Sequence, residues 1–74
     1  MGRFDNSYKQ PYEMITTRVS MERGAVSIIY DRNREEYLVG RGLTVENANE
    51  GGPHGCRTVF DKEDAYSELI DIIE

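Results

Sequence analysis

The chain has 74 residues, of which 38% are hydrophobic and 31% charged, and its formal net charge at pH 7 is −5. A chain this short buries only about 60% of the surface that its unfolded form exposes, so we expect a small core within a single domain. The single cysteine excludes an intrachain disulfide, and together with the single histidine it cannot complete an ordinary four-ligand zinc site.

Charge is distributed unevenly along the chain. Residues 1–60 carry eight acidic and eight basic side chains, whereas residues 61–74 carry six acids and one base, which accounts for the whole net charge of −5. Such asymmetry concerns the partners of a protein rather than its fold. A nucleic-acid footprint needs an excess of basic residues, and residues 1–60 have none.

Residues 1–12 are polar, contain Pro11 and show no hydrophobic period. We interpret them as a flexible N-terminal arm in which Tyr8 and Tyr12 serve as docking points. They contain no apolar run suited to a signal peptide, and no segment approaches the roughly 20 apolar residues that cross a bilayer. With the lone cysteine, these observations favour a cytoplasmic location without membrane association.

Residues 13–74 are predicted to form one small domain of sheet and helix. From Met14 to Glu22 apolar and polar side chains alternate, which is typical of a half-buried strand. Residues 25–30 are the most apolar strand candidate, and residues 36–41 are its natural hairpin partner.

The predicted hairpin turn is centred on Arg32 and Asn33. This register pairs Ile28 with Tyr37, Val26 with Val39, and Tyr30 with Glu35. It places one continuous apolar stripe on one face of the sheet, whereas a slip of one residue would move the stripe to the other face.

Residues 42–55 are rich in glycine and polar residues, so we expect a mobile loop that is either functional or a connector. The loop contains His54, two residues before Cys56, a spacing that invites a metal or nucleophile interpretation. Cysteine catalysis needs a positioned base and an orienting third group, which a glycine-rich loop holds poorly. We therefore expect no catalytic residue, no metal, no cofactor and no enzymatic activity.

A short strand over residues 56–60 is predicted to lead into a helix that starts at Lys62, with Asp61 as its N-cap. At about 100° per residue, apolar side chains share one side of this helix. They are Ala65, Tyr66, Leu69, Ile70, Ile72 and Ile73. The predicted fold is therefore α+β, a three- or four-stranded antiparallel sheet packed against one C-terminal helix.

The strand, cap and helix of residues 57–69 resemble the ending of several unrelated small sheet-plus-helix families. Integrase arm-binding domains and compact phage inhibitors are among them. The helix lacks the basic residues of the integrase domains, and so short a likeness assigns no family.

Carboxylates on the outer side of the helix are the first candidate site, a partner-binding set of Glu63, Asp64, Glu68, Asp71 and Glu74. Acids in the first turn complement the helix dipole, but Asp71 and Glu74 lie at its negative end, where acids destabilise the helix. A basic partner would offset that effect, although a solvated face is the simpler alternative. We predict a non-enzymatic protein-binding module, an adaptor or inhibitor of phage or mobile-element origin, that engages a basic protein surface, with nucleic-acid mimicry as a narrower version.

Strand arginines support the alternative of a small nucleic-acid-binding sheet. In that case phosphates are gripped while Tyr37 or Tyr30 stacks on a base. The residues of this alternative site are Arg18, Arg32, Arg34, Tyr37, Arg41 and Arg57. Acids are interleaved with these arginines, so ion pairing across strands explains them more simply and nucleic acid is the less favoured partner. A homodimer that pairs exposed strand edges is compatible with either function.

Overall fold

A computed structural model describes residues 11–48 and 56–74. The antiparallel sheet has the strand order β1-β2-β3-β4, formed by β1 (Tyr12–Ser20), β2 (Gly24–Asp31), β3 (Glu36–Arg41) and β4 (Arg57–Val59). A short helix, α1 (Val45–Ala48), lies between β3 and β4, and α2 (Lys62–Ile73) follows β4. The predicted α+β fold with one C-terminal helix on an antiparallel sheet is confirmed. In the described ranges, no helix is long and apolar enough to cross a membrane.

Two separate parts of the chain cover the two faces of the sheet. The first cluster joins the sheet to α2 and consists of Val26, Ile28, Val39, Ala65 and Leu69. The second cluster lies on the opposite face and consists of Ile29, Leu43 and Ala48. Successive side chains of a strand point to opposite faces, so Ile28 and Ile29 of β2 contribute to different clusters. Both core layers therefore depend on β2.

The segment after β3 differs from the mobile loop that we expected over residues 42–55. Leu43 and Ala48 are only 1% and 2% exposed, and α1 ends at Ala48. The Thr44 hydroxyl accepts a hydrogen bond from the backbone N–H of Asn47, and the Asn47 side-chain oxygen accepts one from the backbone N–H of Thr44. This reciprocal cap satisfies free donors at the start of the helix. Residues 49–55, which include His54, lie outside the described residues.

The β2–β3 hairpin has a register two residues away from the predicted one. Ile28 pairs with Val39 and Tyr30 with Tyr37, so the predicted pairing of Ile28 with Tyr37 was wrong. The other two predicted pairs, Val26 with Val39 and Tyr30 with Glu35, were wrong by the same shift. Because the shift is even, every side chain keeps its predicted face.

Asp31 explains the longer turn. It pairs with Glu36, so residues 32–35 form the loop, and its carboxylate accepts hydrogen bonds from the amides of Asn33 and Arg34. Glu35 completes the turn with a φ of 55°, in the left-handed region. Asp31 is 3% exposed, and its hydrogen bonds compensate for its burial.

β1 departs from the half-buried strand that its alternation predicts. Ile15 packs against the first cluster, but a bulge falls between Met14 and Thr16, and Val19 and Met21 are 79% and 104% exposed. Tyr12, which we assigned to the arm, is the first residue of β1 and packs against the second cluster. Tyr8 and the other residues of 1–10 lie outside the described residues.

The helix α2 begins where predicted. The Asp61 carbonyl accepts a hydrogen bond from the Ala65 amide, although the Asp61 side chain makes no capping hydrogen bond. Ala65 and Leu69 are buried as predicted, and Ile70, at the margin of the apolar side, is 49% exposed.

Gly40 of β3 leaves no room for a side chain, because a Cβ placed there would lie 2.6 Å from Sγ of Cys56. We expect Gly40→Ala to lower the free energy of unfolding by about 1–3 kcal/mol, as overpacked cores do. Cys56→Ala in the same chain is expected to recover part of the loss, since it removes the sulfur. Urea denaturation measures both effects, and an equal loss in the two backgrounds would contradict the proposed contact.

Candidate protein-binding surface

The packing of α2 determines which of its carboxylates face solvent. Ala65 and Leu69 lie one turn apart and are buried against the sheet, so the opposite side of the helix points outward. We use the name acidic surface for the exposed carboxylates of this helix and its C-cap. Its members are Glu63, Asp64, Asp71 and Glu74.

Glu68, the fifth predicted carboxylate, is engaged within the chain. Its Oε1 accepts a hydrogen bond from the Arg57 guanidinium of β4, and the two side chains form an ion pair. The hydrogen bond and the charge of Glu68 raise the pKa of Arg57, and the charge of Asp71 acts in the same direction. Glu68 is half-buried, and we leave it out of the acidic surface.

Cations do not balance the acidic surface from within α2. The last turn of the helix contains no basic residue, and Lys62 is the only base in the helix. Within residues 11–48 and 56–74, the ion pairs are Arg32 with Glu13 and Arg57 with Glu68. Asp71 and Glu74 lie at the negative end of the helix dipole, which is an unfavourable position for an acid. Neither forms an ion pair within the described residues, although Asp71 is close enough to Arg57 for its charge to act on that guanidinium.

The strand arginines are distributed over both ends of the sheet. Arg18 and Arg41 lie on either side of Val26 in one cross-strand row, at the start of β2. Arg32 and Arg34 follow the end of β2, and a nitrogen of Arg32 lies 2.9 Å from a carboxylate oxygen of Glu13. Arg57, which pairs with Val39, lies on the same face as Arg18 and Arg41 in the neighbouring row. The structure thus brings three of the five predicted arginines to one face and separates them from Arg32 and Arg34.

Tyr37 forms an aromatic pair with Tyr30 across the hairpin. Its ring centroid lies 4.8 Å from that of Tyr30, its partner across the hairpin, at an interplanar angle of 43°. Tyr37 is half-buried against the first cluster, on the face that α2 covers. Aromatic pairs of this kind add to the stability of the core that they pack against.

Cys56 is a free thiol that packs against the second cluster. Its burial raises the pKa of the thiol and so disfavours the reactive thiolate. Its sequence neighbour His54 lies outside the described residues. In the part of the chain that the structure describes, no three His, Cys, Asp or Glu side chains are grouped to hold a metal ion.

Sequence reasoning missed the Arg57–Glu68 ion pair, although part of its signal was present. Alternation along β4 places Arg57 on the same face as Val59, which is the face that carries α2. A cation on that face has an acidic helix as its nearest neighbour. The exposure of Val19 could not be read from the sequence, because the alternation of β1 does not show whether another part of the chain covers that end of the strand.

No protein-family model, curated protein or solved structure matches this chain.

We expect native Cys56 to react with iodoacetamide more slowly at neutral pH than the same thiol in the urea-unfolded chain. Burial restricts access to the sulfur and raises the pKa of the thiol, so the native rate should still be rising above the usual pKa of a thiol. Intact-mass measurements over a pH series follow both reactions. A native rate that equals the unfolded rate and levels off near neutral pH would indicate an activated nucleophile instead.

Proposed function

We propose that the chain is a non-enzymatic protein-binding module, an adaptor or inhibitor, whose acidic surface binds a basic surface of another protein. The observation that carries this proposal is the set of exposed carboxylates on one side of α2, with no basic residue in the last turn. A partner that supplies cations there relieves the repulsion among these groups. Binding of the partner would then also stabilise the helix, because the same cations offset the repulsion among its carboxylates.

The support for α2 makes it suitable for this role. Its inner side is fixed by Ala65 and Leu69, and Arg57 ties its flank to β4 through Glu68. Carboxylates on a fixed helix lose little backbone freedom on binding, so more of the electrostatic attraction appears as affinity. Mimicry of nucleic-acid phosphates is the narrower form of the proposal, in which the basic surface is itself a nucleic-acid site.

The location and origin of the protein belong to the same proposal. A cytoplasmic location is supported by the lone free thiol, which suits a reducing compartment. A phage or mobile-element origin is supported by small size and acidic charge only.

Neutralising part of the acidic surface tests the proposal. In the triple variant Asp64→Asn, Asp71→Asn and Glu74→Gln, we expect weaker capture of the partner from an extract of the producing cells. Each exposed ion pair contributes about 0.2–1 kcal/mol, so the dissociation constant should rise by between a few-fold and about a hundredfold. Titration calorimetry with the isolated partner, at low and high ionic strength, measures the change.

The matched control is Glu22→Gln, Glu35→Gln and Glu46→Gln, which changes the net charge equally at exposed positions away from α2. We expect this control to retain the partner. If both variants weaken partner binding equally, net charge alone explains the effect and the acidic surface is not a specific site. Failure to capture any protein at low ionic strength would remove the proposal's main support.

The nucleic-acid alternative is tested by electrophoretic mobility shift with single- and double-stranded DNA and RNA. We expect no shift at physiological ionic strength, because only three of the five arginines share a face and two of the five are ion-paired with acids. A shift that Arg34→Gln or Arg41→Gln abolishes would favour the alternative.

A further inference from the structure

The outer edge of β1 is the second surface of interest. In the described ranges β1 pairs with β2 only, and with 9 residues it is the longest strand of the sheet. A strand at the edge of a sheet presents a row of amide and carbonyl groups that another strand can pair with. Proteins usually protect such an edge with a bulge, a charge or a covering element.

The bulge and the ion-paired charge of β1 both lie in its first half. The bulge lies between Met14 and Thr16, and Glu13 is held by Arg32. Beyond the bulge, residues 16–20 pair without interruption with residues 28–24 of β2. This second half is therefore a regular strand that is able to template another.

Side chains on the second half of β1 differ between the two faces. Val19 is 79% exposed on the face of the second cluster, beside Thr17, whose hydroxyl lies 2.9 Å from that of Ser27. Thr16 and Arg18 lie on the opposite face. An exposed β-branched residue in a regular strand is well suited to packing against a neighbouring strand.

The exposed arginine on this edge indicates which side chains a pairing strand would carry. Arg18 lies in the same cross-strand row as Arg41, both are exposed, and no ion pair within the described residues engages either guanidinium. An acidic side chain beside Arg18 on an added strand would be attracted by Arg18, whereas Arg41 lies two strands further away and contributes little. A second copy fits less well, because the two-fold antiparallel pairing that uses all of residues 16–20 places Arg18 directly against its own equivalent.

We propose that residues 16–20 of β1 bind an extended segment of another protein as an added strand. The segment has an acidic residue beside Arg18 and apolar residues beside Thr17 and Val19, so its sequence alternates between acidic and apolar side chains. Main-chain hydrogen bonds supply affinity, and Arg18 supplies the preference for acid. This surface is separate from the acidic surface of α2, so the two can act independently.

Peptides of defined sequence test the proposal by fluorescence anisotropy. A labelled peptide of about eight residues that repeats Val-Glu is expected to bind the full chain saturably, and a Val-Lys repeat is not. A Val-Glu peptide that is N-methylated at every residue keeps its side chains but loses all of its amide donors for strand pairing on both edges, so it should not bind. Failure of the unmodified Val-Glu repeat to bind, or equal binding of the N-methylated form, overturns the proposal.

Charge reversal identifies the residue responsible. Arg18→Glu is expected to raise the dissociation constant of the Val-Glu repeat at least about tenfold and to create binding of the Val-Lys repeat. Binding of the Val-Lys repeat would also show that the variant is folded. The matched control is Arg23→Glu, an exposed residue of the following turn that changes net charge equally and should have little effect. Equal effects of the two variants overturn the proposal.

Two further measurements separate the remaining interpretations. The α2 triple variant is expected to bind the Val-Glu repeat as well as the unmodified chain does, so loss of one function leaves the other measurable. Sedimentation of the chain alone should show a monomer. A dimer that the peptide cannot dissociate would assign this edge to a second copy and overturn the proposal.

Discussion

The burial of β2 on both faces is the constraint on which the structure depends. Ile28 and Ile29 are adjacent in the chain and both fully buried, one beneath α2 and the other beneath the segment that contains Leu43 and Ala48. Each layer is small, as expected for a chain of 74 residues. Neither layer is a complete core by itself, so helix, sheet and the segment after β3 stabilise one another through a single strand.

Both proposed binding surfaces follow from this arrangement. Burying Ala65 and Leu69 directs the carboxylates of α2 outward, and the ion pair of Arg57 with Glu68 removes one carboxylate from the exposed set. The first half of β1 joins both layers through Ile15 and Tyr12, whereas Val19 in its second half is exposed. The acidic helix and the strand edge are thus presented by a common core, although they attract partners of opposite charge.

The elements were predictable where hydrophobic periods were long, and the details were not. Alternation and the helical period identified the strands and the apolar side of α2, because burial on one side imposes those periods. The hairpin register was missed because a shift of two residues leaves every face unchanged, and the hydrogen bonds of the Asp31 carboxylate had no counterpart in the pattern. Helix α1 was missed because Leu43 and Ala48 are too few to form a period among polar residues. The carboxylates of α2 were identifiable from their spacing, but the ion pair of Glu68 required the position of β4.

Native-state hydrogen exchange tests most directly whether α2 and β2 form one cooperative unit, which a rigid acidic surface requires. The amides of Ile28 and Leu69 should exchange through the same global opening, with equal free energies and equal dependence on denaturant. Exchange of Leu69 through a low-energy local opening that is insensitive to denaturant, while Ile28 stays protected, would contradict this. The helix would then be a loosely attached segment, and its carboxylates would not form a fixed surface.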